Sequence, residues 1–141
     1  EVSQAVPYVV FTGGEPLLQL DSALIATLHS EGFEVAVETN GTMPAPAGID
    51  WLCVSPKGRN PLAITQGDEL KLVYPQADAL PEQFTHLAFK HFFLQPMDLS
   101  AVAHAQIATD RADIVKATTA YCMANPQWRL SLQTHKIAGF E

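Results

Sequence analysis

Basic residues are scarce in this chain. Eight Lys and Arg stand against fifteen Asp and Glu in 141 residues, a formal net charge of -7 at pH 7. A surface that gathers the phosphates of a nucleic acid needs the opposite balance, so no nucleic-acid partner is expected and a small-molecule ligand is favoured. Long apolar runs are missing too: none reaches the ~20 residues of a membrane-spanning helix. The first residues, Glu1-Val2-Ser3-Gln4, lack the basic and apolar regions of a secretory signal, which makes the cytoplasm the expected location, with no membrane partner. Cysteine is nearly absent. Cys53 and Cys122 lie far apart in sequence, and Cys53 sits in the apolar run Trp51-Leu52-Cys53-Val54, where a small buried thiol fits well. Neither belongs to a disulfide framework or a cluster motif.

What is present is a set of short apolar runs alternating with helical stretches, the pattern of an α/β domain with a mainly parallel sheet. With 48% hydrophobic side chains the 141 residues suffice for one domain with its own core, and residues 1–141 are read as one unit. Five or six strands are expected, at Tyr8–Phe11, Phe33–Val37, Trp51–Val54, Glu69–Tyr74, Leu87–Leu94 and a final alternating run from Trp128 to Gln133. Asp21 is a plausible N-cap for a helix to Glu31 that Gly32 closes. Further helices are expected over Leu99–Ala105 and Asp110–Met123. The chain runs almost at once into its first strand, leaving that strand no earlier neighbour, as in a domain entered in the middle.

In parallel α/β sheets and barrels ligands bind at the carboxyl ends of the strands, where the loops converge. Those ends are polar in this sequence. Thr12-Gly13-Gly14-Glu15-Pro16 follows the first strand: two glycines let a ligand approach bare backbone, Glu15 can pair with an ammonium group, and Pro16 suits the first position of a helical turn. A tight turn with a solvated glutamate is the plainer alternative. Glu38-Thr39-Asn40-Gly41 offers polar groups, although Asn-Gly also makes an ordinary turn. Ser55-Pro56-Lys57 and Gln95-Pro96 end further strands, where Lys57 could be solvated and the prolines simple terminators. His135, in Gln133-Thr134-His135-Lys136, is a candidate for substrate contact through its imidazole. His29, His86, His91 and His104 lack metal-ligand spacing and are expected on exposed faces, His91 half buried.

Taken together, Phe11-Thr12-Gly13-Gly14-Glu15-Pro16-Leu17-Leu18, Glu38-Thr39-Asn40-Gly41-Thr42, Val54-Ser55-Pro56-Lys57, Phe93-Leu94-Gln95-Pro96-Met97-Asp98 and Leu130-Ser131-Leu132-Gln133-Thr134-His135-Lys136 resemble the 7-carboxy-7-deazaguanine synthases, radical S-adenosylmethionine enzymes of the queuosine pathway. The likeness covers nearly the whole chain. It implies conversion of 6-carboxytetrahydropterin to 7-carboxy-7-deazaguanine with loss of ammonia, using S-adenosylmethionine, a four-iron four-sulfur cluster, Mg2+ and an electron donor such as flavodoxin. It implies cofactor contacts from Gly13, Gly14, Glu15, Glu38, Ser55, Lys57 and Gln95, and substrate contacts from Thr12, His135 and Glu141. It further implies an α/β fold of the partial, open (β/α) barrel kind with a reduced helix set, because Glu69 to Leu94 offers two strands with little helix between them. The unpaired edges of such a barrel favour a homodimer. The three closely spaced cysteines that hold the cluster in that superfamily are absent, so an N-terminal cluster-binding segment is expected to be missing and the chain as given to be inactive, as the C-terminal two-thirds or so of the barrel. Two alternatives remain: a protein that installs a glycyl radical on a partner, which shares the Gly-Gly-Glu turn, and a non-catalytic ligand-binding α/β module.

Overall fold

The computed structural model describes residues 6–99 and 107–139. Strands β1 (Tyr8–Phe11), β2 (Glu34–Thr39), β3 (Trp51–Val54), β4 (Gln66–Tyr74), β5 (Ala88–Pro96) and β6 (Trp128–Leu130) form one sheet. Their spatial order equals their order in sequence, and every neighbouring pair is parallel. Such a sheet coils like the wall of a barrel, and it is left open. Helices α1 (Ser22–Ser30), α2 (Ile107–Ala124) and the short α3 (Thr134–Ala138) complete the regular structure, with single 3-10 turns at Pro16–Leu18 and Pro81–Gln83. This is the open, partial β/α barrel with few helices that the sequence led us to expect. No helix of the described residues is long and apolar enough to cross a membrane.

The pleat gives the sheet two chemically different faces. Val35, Val37, Val54, Leu70, Leu72 and Leu94 are fully buried and share one core with Ile25 of α1 and Trp128. The opposite face is polar. The strand registers align Glu38 with Cys53, Cys53 with Glu69 and Glu69 with His91, while Lys71 aligns with Phe93 and Phe93 with Arg129. At the open edge, Tyr8 and Val10 of β1 are each about half exposed, at 49% and 50%.

Local chemistry explains where the elements start and stop. The Asp21 carboxylate accepts from the Leu24 amide at 2.8 Å and opens α1, and Gly32, with φ of 84°, turns the chain into β2. Strand β4 begins at Gln66, three residues before the expected Glu69. The polar Asp68 is satisfied inside the sheet, accepting from the Leu52 amide at 2.8 Å and the Lys90 ammonium at 2.6 Å. Strand β2 starts at Glu34 and runs on to Thr39, and β5 runs to Pro96, beyond which the Met97 amide still bonds the Tyr74 carbonyl at 2.8 Å. Strand β6 stops at Leu130, shorter than expected, because α3 takes over at Thr134. Of the helix expected over Leu99–Ala105, Leu99 lies in no regular element and residues 100–105 fall outside the described residues, as does His104.

Candidate functional site

A cavity of about 440 Å³ opens at the carboxyl ends of the strands, within the range of roughly 300–1,000 Å³ usual for ligand pockets. Its wall follows the sheet from one end to the other. Thr12, Gly13 and Gly14 come from the loop after β1, Glu38, Thr39 and Asn40 from the end of β2, and Ser55 and Lys57 from the turn after β3. Lys71 and Val73 of β4, Gln95 of β5, Ser131 to Gln133 after β6 and His135 of α3 close it. Eight of the ten residues singled out in the sequence thus meet in one place: Thr12, Gly13, Gly14, Glu38, Ser55, Lys57, Gln95 and His135. Glu141 lies outside the described residues.

Glu15 is placed differently from the expectation. It is not among the residues lining the cavity, and its carboxylate is already engaged by the chain. Oε1 accepts from the Leu17 amide at 3.1 Å and from the Thr39 hydroxyl at 2.6 Å, and Oε2 accepts from the Asn40 amide at 2.9 Å. The side chain thereby caps the 3-10 turn at Pro16 and ties it to the end of β2. A carboxylate offers about four lone-pair positions. The described hydrogen bonds use three. At Gly13 and Gly14 a methyl group added to the backbone would meet nothing within 4 Å, and Gly13 has φ of 110°, so this stretch of bare backbone is open to a ligand.

Opposite the glycines the cavity carries charge. The Lys57 ammonium donates to Ser55 Oγ at 3.2 Å, and the Lys71 ammonium donates to Glu38 Oε1 at 2.5 Å. Lys71 is well buried, its side chain only 16% exposed against 42% for Glu38. Burial alone would lower its pKa, but the hydrogen bond to Glu38 and the carboxylate charges of Glu38 and Glu69 outweigh that and hold it above the usual lysine value, so it is cationic at neutral pH. Below the cavity, burial pushes the Cys53 thiol far up, and Glu69 adds to the effect. Beside the cavity, Asp98 takes the Arg111 guanidinium at 3.2 Å and the Lys136 ammonium, which fastens α3 to the end of β5 and so sets His135 on the rim.

Lys71 was not singled out in the sequence, nor were Val73, Ser131 and Leu132. The signal for Lys71 was there: in Glu69-Leu70-Lys71-Leu72 the two leucines alternate with two charges, so Lys71 had to face away from the core.

The residues fit some of the implied groups and not others. A polar cavity with an exposed Gly-Gly backbone and an acidic neighbour fits the amino-acid part of S-adenosylmethionine. An iron–sulfur cluster does not fit the described residues: Cys53 is buried on β3 with its thiol protonated, and Cys122 is on α2. Among the described residues no three His, Cys, Asp or Glu are grouped to hold a metal ion.

Comparison with known proteins places this geometry. The chain is 63% identical over 132 residues to the 7-carboxy-7-deazaguanine synthase of Bordetella pertussis, covering 94% of this chain and 59% of that protein. It is 56% identical over 131 residues to the enzyme of the same name from Caulobacter vibrioides, covering 93% of this chain and 58% of that protein. Among solved structures, the crystal structure of QueE from Escherichia coli superposes with a TM-score of 0.65 at 27% identity, covering 89% of this chain and 56% of that one. No protein-family model matches the chain. It spans about three-fifths of the length of these curated relatives.

Proposed function

The chain belongs to the 7-carboxy-7-deazaguanine synthase family, and on that premise we propose that it forms the cofactor- and substrate-binding part of a radical enzyme that contracts 6-carboxy-5,6,7,8-tetrahydropterin to 7-carboxy-7-deazaguanine with loss of ammonia. The observation that carries this reading is the convergence of Gly13, Gly14, Glu38, Ser55, Lys57, Gln95 and His135 on one cavity at the strand ends. In this reading the Gly13–Gly14 backbone receives the methionine end of S-adenosylmethionine. The remaining lone-pair position on Glu15 Oε2 accepts from its ammonium group. Glu38, Ser55, Lys57 and Gln95 meet the rest of the cofactor, and Thr12 and His135 face the pterin from the rim.

The cofactor supplies the radical chemistry when bound. The chain's own part is to bind and orient it. Cluster ligands and magnesium ligands are assigned to none of these residues. The proposal extends to an electron donor such as flavodoxin, a homodimer and a place in the cytoplasm, all by likeness to the family. The test uses the complete protein, reconstituted anaerobically. Release of 5′-deoxyadenosine that depends on the pterin supports the reading, and deoxyadenosine release indifferent to the pterin sinks it.

A further inference from the structure

We propose that Lys71 is a positioning residue: its ammonium holds the Glu38 carboxylate in the orientation that a nucleoside cofactor requires. The inference rests on the reading of the cavity as the S-adenosylmethionine site and deepens it. Nothing in the sequence resemblance points to Lys71, and the argument comes from the polar face of the sheet.

That face carries partners spread over four strands. Glu69, two residues before Lys71 on the same face of β4, is reached from below by the Trp51 indole N–H at 3.4 Å. Trp51 in turn stacks on His91, with ring centroids 5.8 Å apart. The hydrogen bond of Lys71 runs the other way, upward to Glu38 Oε1 at 2.5 Å. Among the described residues no donor reaches Glu38 Oε2. Both residues line the cavity, so the ammonium fixes one carboxylate oxygen and leaves the other to accept from hydroxyl or amino groups of the ligand.

Burial matters to the direction of the effect. A lysine side chain only 16% exposed keeps little water around it, and it is compensated by a glutamate whose side chain is 42% exposed. Removing the carboxylate strands a buried charge, whereas removing the ammonium frees a half-exposed glutamate to swing into solvent. The lysine is therefore the anchor and the glutamate the reader. Lys71 shares its face of the sheet with Phe93, its register partner on β5.

The test is calorimetric titration of the complete protein with S-adenosylmethionine, for wild type, Lys71→Met, Lys71→Arg, Glu38→Gln and the double variant Lys71→Met/Glu38→Gln, with melting temperatures alongside. We expect Lys71→Met to weaken binding roughly tenfold or more, and Lys71→Arg, which keeps the cation, to stay within a few-fold of wild type. The double variant should bind no worse than Glu38→Gln, because a residue that acts only through Glu38 has nothing left to act on. Wild-type affinity in Lys71→Met overturns the proposal. So do losses that add in the double variant, since they mean that Lys71 touches the ligand itself. If Lys71→Met alone does not fold, the double variant, which removes both charges, still decides: it must match Glu38→Gln. Failure of the wild-type protein to bind S-adenosylmethionine strikes the reading of the site, whereas binding that is indifferent to Lys71 strikes this inference alone.

Discussion

Replacing Glu15 by alanine should destabilise the protein with no ligand present. The carboxylate closes a loop of hydrogen bonds: the Gly41 amide donates to Thr39 Oγ1 at 3.0 Å, the Thr39 hydroxyl donates to Glu15 Oε1, and Glu15 also accepts from the Leu17 and Asn40 amides. Thr39 is 3% exposed, so without Glu15 its hydroxyl proton points into a site that water barely reaches. A buried donor left unpaired costs ~1–3 kcal/mol, and hydrogen bonds to a charged group are worth ~1.5–3 kcal/mol each. The three bonds share one half-buried carboxylate and cannot be added, and the Leu17 and Asn40 amides can recover part of their loss from water. A net cost of about 2–4 kcal/mol follows. At roughly 3–4 °C for each kcal/mol in a chain of this size, the melting temperature falls by about 6–16 °C. Glu15→Gln keeps an acceptor for Thr39 but sets an N–H against an N–H at Asn40, so it should fall between wild type and alanine. Urea denaturation and thermal melting monitored by circular dichroism measure both. A Glu15→Ala protein within about 0.5 kcal/mol of wild type would mean that these bonds are replaced by solvent at no cost, and the clamp would be fiction.

Gly41→Ala should cost about 1–3 kcal/mol, because Gly41 has φ of 77° and a methyl group there would lie 2.6 Å from Val54 Cγ1, the fully buried residue at the end of β3; denaturant midpoints decide it, and an unshifted midpoint refutes it. The Asp50 carboxyl is held below the usual carboxylate range by the Val35 amide and then by His29 Nε2, both at 2.8 Å. Its contribution to stability is therefore present above the ordinary value of 3.8 and lost as pH falls below it. Asp50→Asn should flatten the acid limb of the stability curve, and identical acid limbs for the two proteins speak against it. Leu94→Ala, at a fully buried core site, should cost ~2–5 kcal/mol by the same melts.

The strands were legible in the sequence because each carries a run of β-branched, aliphatic or aromatic residues. The candidate site was legible because polar residues follow those runs at the carboxyl ends. What stayed hidden depends on partners distant in sequence. Glu15 shows no sign of its clamp, since Thr39 and Asn40 lie 24 and 25 residues away. Asp68 resembles a strand breaker until the Leu52 amide and Lys90 satisfy it within β4. Lys71 resembles a solvated charge until the open barrel turns that face of the sheet inward beneath the cavity. Periodicity reports which face a side chain takes, but which face is dry is decided only when the sheet coils.

The strictly sequential order of the strands also bears on how the cavity can open. β6 has three residues, while its neighbour β5 has nine. Yet the segment after β6 delivers Ser131, Leu132, Gln133 and His135 to the rim, and the grip of Lys136 on Asp98 fastens α3 to the neighbouring strand end. Trp128 keeps β6 in the core, 2% exposed and packed edge-on to Phe92 of β5, so the piece able to let go is α3: amide exchange there should report local opening of low free energy, while β4 and β5 exchange only with global unfolding. Admission of ligand to the cavity then becomes a question of how often one short helix lets go, and the sheet can stay rigid while it does.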